Sequence, residues 1–69
     1  MDQDFIKNLL ETDIFLMDKA AVELEKAREI LATADRNTDF WKGSVKFWEE
    51  AVDESIEILK GTYHGYLKS

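Results

Sequence analysis

The chain of 69 residues has no cysteine, no proline, three glycines and a single histidine. Without cysteine there is neither a disulfide nor a thiolate metal site, and one histidine cannot build a His-rich site. Without proline, and with Ala, Leu, Glu and Lys abundant, little interrupts a long helix or favours strands and tight turns. The apolar run from Ile14 to Met17 is far shorter than a membrane span or a signal-peptide core, and the first turn is acidic. Neither a membrane span nor a secretory signal peptide is therefore expected, and the chain is cytoplasmic or leaves the cell by another route. Bases are also scarce, nine against fifteen acids for a net charge of -6. Phosphate binding draws on clustered Lys and Arg, so nucleic acid is not an expected partner.

What remains is an all-α chain of one small domain. A chain this short buries only ~60 to 65% of the surface that its unfolded form exposes, so its own core gives a thin margin. With disulfides and metals excluded, oligomerisation is the common remaining source of stability. The acidity is concentrated in residues 1 to 35, which hold nine acids and four bases; residues 36 to 69 hold six and five.

Two heptad patterns organise the sequence. From Ile6 the positions Leu10, Asp13, Met17, Ala20, Leu24, Ala27, Leu31 and Ala34 alternate in steps of four and three, the seam of a helix that packs on another helix. Asp2 or Asp4 suits its N-terminus, and the first helix is expected from about residue 3 to about residue 35. Val45, Trp48, Val52, Ser55, Leu59, Thr62 and Tyr66 repeat the spacing, flanked by Ala51, Ile56, Ile58 and Tyr63. Between the patterns, residues 36–39 form the bend, where Asn37 can take the left-handed conformation and Thr38 or Asp39 can cap. The second helix is expected from about residue 39 to about residue 60, weakening at Gly61, with a frayed extension to about residue 67. So short a bend makes the helices an antiparallel two-helix hairpin spanning residues 1–69.

The first half of the first helix is apolar beyond its seam. Leu9, Ile14, Phe15 and Leu16 surround Ile6, Leu10 and Met17, and one partner helix covers only one stripe. These seven residues are read as an association surface through which two hairpins pair into a four-helix bundle, as a homodimer or with a helical protein partner. Asp13, polar on the seam, either sets register or lies at a wet edge.

At the bend, Trp41-Lys42-Gly43 is followed by Val45, Phe47 and Trp48. Gly inside a helix costs ~1 kcal/mol relative to Ala, so Gly43 suggests a close approach of a bulky group, with Trp41 the candidate to plug the end of the hairpin. Phe40, Trp41, Phe47 and Trp48 also fit a plain aromatic core beside a turn, or an exposed recognition anchor. The segment resembles the hairpin corner of the WXG (Trp-x-Gly, ESAT-like) superfamily of small helical proteins linked to type VII secretion. The resemblance implies a hairpin that forms homo- or heterodimeric four-helix bundles, with Trp41 and Gly43 at the corner and Phe47 and Trp48 as the following aromatics. The family's tail signal, a Tyr followed four residues later by an acid, has no counterpart, since Leu67 stands at that distance from Tyr63. The resemblance thus implies a partner or targeting hairpin that travels with another protein.

Catalysis is not expected. Glu50, Asp53, Glu54 and Glu57 make an acidic stripe at helical spacing, but a carboxylate metal centre needs a second acidic pair, and the acids of the first helix alternate with Lys19, Lys26 and Arg28 as surface charge pairs. No Glu-x-x-His motif and no Gly-rich phosphate loop occurs, and His64 has neither a nucleophile nor a matching phosphotransfer pattern near it. No metal or cofactor is expected. The alternative function is a cytoplasmic regulatory module, an antitoxin, immunity protein or phosphorelay regulator, that binds its target through the acidic stripe.

Overall fold

The computed structural model describes residues 3–68, which form two helices, α1 (Gln3–Thr33) and α2 (Thr38–Lys68), packed antiparallel as an all-α hairpin. Each position of the α1 heptad seam from Ile6 to Ala34 is buried or half-buried, and so is each α2 seam position from Val45 to Tyr66. Steps of four and three keep one stripe of a helix facing its partner. The seam is tightest at Ile6, Ala20, Leu24 and Ala27 of α1, which are 4%, 6%, 9% and 3% exposed. Toward the bend α2 contributes Trp41, Val45 and Trp48, each half-buried. Toward the open end the helices leave an apolar groove of about 470 Å³ between them, lined by Leu10, Met17, Ile56 and Leu59.

The connection has the expected length of four residues but lies two residues earlier, at residues 34–37. α1 stops at Thr33, where the Ala34 N–H donates to the Leu31 carbonyl at 3.3 Å, a tightened last turn. Asn37 has φ of 58°, the left-handed conformation that its short amide side chain tolerates. Its carbonyl accepts the first helical bond of α2, from the Trp41 N–H at 3.1 Å. The cap position is therefore Asn37, and Thr38 and Asp39, the expected caps, form the first turn. Of the two acids expected at the start of α1, Asp4 lies in its first turn, and Asp2 falls outside the described residues.

α2 does not weaken at Gly61. It runs unbroken through Gly61 and Gly65 to Lys68. Each Gly costs ~1 kcal/mol of helix propensity, but Thr62 and Tyr66 still pack on the seam, and tertiary contact outweighs propensity in most protein helices. Thr62 also returns its hydroxyl to the Ile58 carbonyl at 3.1 Å.

Asp13 is the one discord on the seam. Half-buried, it has an Oδ2 that is shielded from solvent without a hydrogen-bond partner. An unsatisfied buried acceptor costs roughly 1 to 3 kcal/mol. Asp13→Leu should therefore raise the melting temperature, read by far-UV circular dichroism, by about 5 °C or more. An unchanged or lower value would show that the carboxylate is solvated in place.

Candidate functional site

Ile6, Ala20, Leu24 and Ala27 are the buried apolar residues among those described, and no side chain is fully enclosed. The hairpin measures 51 × 14 × 11 Å, and its radius of gyration, 15.7 Å, compares with about 11 Å for a compact chain of this length. An elongated pair of helices has an inside only along one line. The apolar side chains that miss that line stand in solvent, and their positions on the two helices define the candidate site.

Of the association surface expected on α1, Ile6 is 4% exposed and belongs to the hairpin's own interior, which corrects its assignment to an outward surface. Leu10 and Met17 are half-buried on the seam and line the open-end groove with Ile14, Ile56, Leu59 and Tyr63. Leu9, Ile14, Phe15 and Leu16 are exposed, Phe15 most of all at 64%. They do not form one patch. Phe15 points half a helical turn away from the seam, while Ile14 lies on one flank and Leu9 and Leu16 on the other.

A second stripe on each helix, hidden in the sequence by the apolar excess at Ile14, Phe15 and Leu16, orders this surface. On α1 it runs Phe5, Leu9, Thr12, Leu16, Lys19, Glu23, Lys26 and Ile30, again in steps of four and three and displaced by one residue from the seam. On α2 it runs Phe40, Ser44, Phe47, Ala51, Glu54, Ile58, Gly61 and Gly65. Each lies roughly 90° around its helix from the first seam. Both stripes lie on the same face of the hairpin, because Leu9 of α1 and Gly61 and Gly65 of α2 line one groove of about 260 Å³ together with the seam residues Ile6 and Thr62. Phe40, Phe47 and Ile58 are more than half exposed on this face, as are Phe5 and Leu16. On it the Thr12 hydroxyl donates to the Asn8 carbonyl at 3.0 Å. The opposite face is apolar only at the open end; nearer the bend it carries Arg28 and Glu49, paired across the helices at 3.6 Å.

The Trp41-Gly43 corner differs from the expected close approach. Gly43 lies in the second turn of α2 with nothing within 4 Å of where a Cβ would stand, so no bulky group requires glycine there. Trp41 is half-buried and meets Phe40 edge-on, centroids 5.0 Å apart at 85°. Phe47 and Trp48 repeat this arrangement one heptad later at 4.9 Å and 82°. In each pair the Trp sits on the seam and the Phe on the second stripe, so neighbouring aromatics divide between the inside and the open face.

The acidic stripe stays in solvent. Glu50, Asp53, Glu54 and Glu57 are all exposed, Glu57 pairs with Lys60 at 3.5 Å, and among the described residues no three His, Asp or Glu side chains gather as a metal-ion site. His64 is likewise exposed. Among the described residues no helix is long and apolar enough to cross a membrane.

Gly43→Ala should stabilise the hairpin by up to ~1 kcal/mol, since it gains helix propensity without a clash. Thermal unfolding should show a rise of a few degrees. A lower melting temperature would restore the close-packed corner. Compared with known proteins, the chain matches no family model, no curated protein and no solved structure.

Proposed function

We propose that the protein is a non-enzymatic association module, a helical hairpin that works by packing its open face against other helices. The observation that supports this most directly is the paired second stripe, a face on which Phe5, Leu9, Leu16 and Ile58 toward the open end and Phe40 and Phe47 toward the bend stand exposed beside a seam with only four buried residues. Burial of a Leu, Ile or Phe gains roughly 1.5 to 3 kcal/mol, so leaving these uncovered forgoes a sum comparable to the whole stability of a small domain. The solvent-accessible surface is 5424 Å², whereas a compact monomer of 8.0 kDa exposes about 4,450 Å². The excess, about 1,000 Å², is of the order that each partner buries in a stable complex, ~800 Å².

The finer reading is a WXG-like hairpin that accompanies a type VII secretion substrate or pairs with itself. The hairpin architecture supports it, as does the placement of Trp41 and Gly43 in the first two turns of α2 with Phe47 and Trp48 next along the helix. The open space at Gly43 removes the packing argument for that corner and leaves the sequence resemblance.

Light scattering tests the association. The purified chain, or the chain mixed with its helical partner, should scatter with a mass well above 8.0 kDa, and Phe47→Glu should return it toward that value while the helical content is kept. A stable 8.0 kDa particle at high concentration, with no affinity for helical proteins, would rule the proposal out.

A further inference from the structure

The open face is self-complementary in charge, and that fixes how a second copy can sit on it. Its stripes are apolar toward their ends and charged near the middle: α1 carries Lys19 and, one to two turns beyond it, Glu23 and Lys26, which pair with each other at 3.6 Å and leave Lys19 as the unbalanced charge, and α2 carries Glu54. Lys19 and Glu54 stand at one height along the hairpin. Leu9 shares a groove with Thr62, Met17 with Ile56, and Arg28 pairs with Glu49, so the level of Lys19 falls within a turn of Glu54.

Resting on the association reading above, we propose that the partner on this face is a second copy of the chain, related by a two-fold axis parallel to the helices. Such an axis preserves height and lays α1 of each copy antiparallel to α2 of the other, with both bends at the same end. Lys19 then faces Glu54 of the second copy twice over. Phe5 and Leu9 come to the level of Gly61 and Gly65 of the second copy, whose missing side chains leave open space beside the groove. The other two-fold arrangement, with its axis across the helices, sets α1 on α1 and α2 on α2 with bends at opposite ends. Full overlap there brings Lys19 beside its own counterpart and Glu54 beside its own, like charges at the centre of an apolar interface. The acids Glu50 and Glu57, which flank the α2 stripe, would deepen that repulsion.

One label distinguishes the arrangements. The chain has no cysteine, so Arg36→Cys in the exposed connection takes a single nitroxide, and pulsed dipolar spectroscopy reads the distance between the two bends. Bends at the same end should lie about 15 to 25 Å apart, the width of a bundle whose helices are spaced ~8 to 10 Å. A distance near the 51 Å length of the hairpin would overturn the proposed axis while leaving association intact. No dipolar coupling together with a mass of 8.0 kDa would overturn both readings. A charge swap gives independent evidence. Lys19→Glu should raise the dimer dissociation constant roughly tenfold or more, and adding Glu54→Lys should restore it. In the crosswise arrangement Lys19→Glu only exchanges one like pair for another, so an unchanged constant would count against the parallel axis.

Discussion

The structure depends on a limit of geometry: a helix has a full circumference, and a single antiparallel neighbour covers only one stripe of it. In this chain that covered stripe is the heptad seam, from Ile6 to Leu31 on α1 and Val45 to Tyr66 on α2. It decides the direction of the chain, the position of the connection and the level at which each residue of one helix meets the other. It also leaves a hairpin whose buried apolar side chains, Ile6, Ala20, Leu24 and Ala27, all come from α1. A third layer of helix is the ordinary physical answer to such a shortage of interior.

Seen from that limit, the division of the aromatics has a simple cause. Phe40-Trp41 and Phe47-Trp48 are adjacent in sequence, so about 100° of rotation separates the members of each pair. The Trp of each falls on the seam and the Phe on the second stripe, and edge-on contact ties them together. The inside of the hairpin and its open face are thus mechanically continuous near the bend. Charge follows the same division: the exposed helical pair Lys60–Glu57, off this face, is worth little in water, whereas Lys19, the Lys26–Glu23 pair and Glu54 stand in the middle of the open face, where a partner would shield them.

Much of the fold was legible because both halves of the sequence repeat every seven residues, and a period fixes which side of a helix turns inward. The boundaries were less so. The connection sits two residues earlier than the polar run suggested, since the left-handed backbone at Asn37 comes at the start of α2 and not at the end of α1. α2 passes through Gly61 because contact along the seam outweighs local propensity. The second stripe was present in the sequence as a second heptad series displaced by one residue. It was read instead as apolarity on every side of α1, because the excess of Ile14, Phe15 and Leu16 hides the series and Phe40 and Phe47 resemble corner aromatics.

The sequence by itself determined two helices, their antiparallel course and the residues on the seam, all consequences of periodicity and of a bend too short for anything else. It also held the Trp-x-Gly triplet, but not the space around Gly43, which is open. Only the tertiary structure decided that Leu9 and Gly65 share a groove, that Ile14 and Tyr63 lie on the other face, and that Lys19 stands level with Glu54. The reason is that a period gives the angle of a side chain on its own helix. How two helices are rotated and shifted against each other is set by the contact between them.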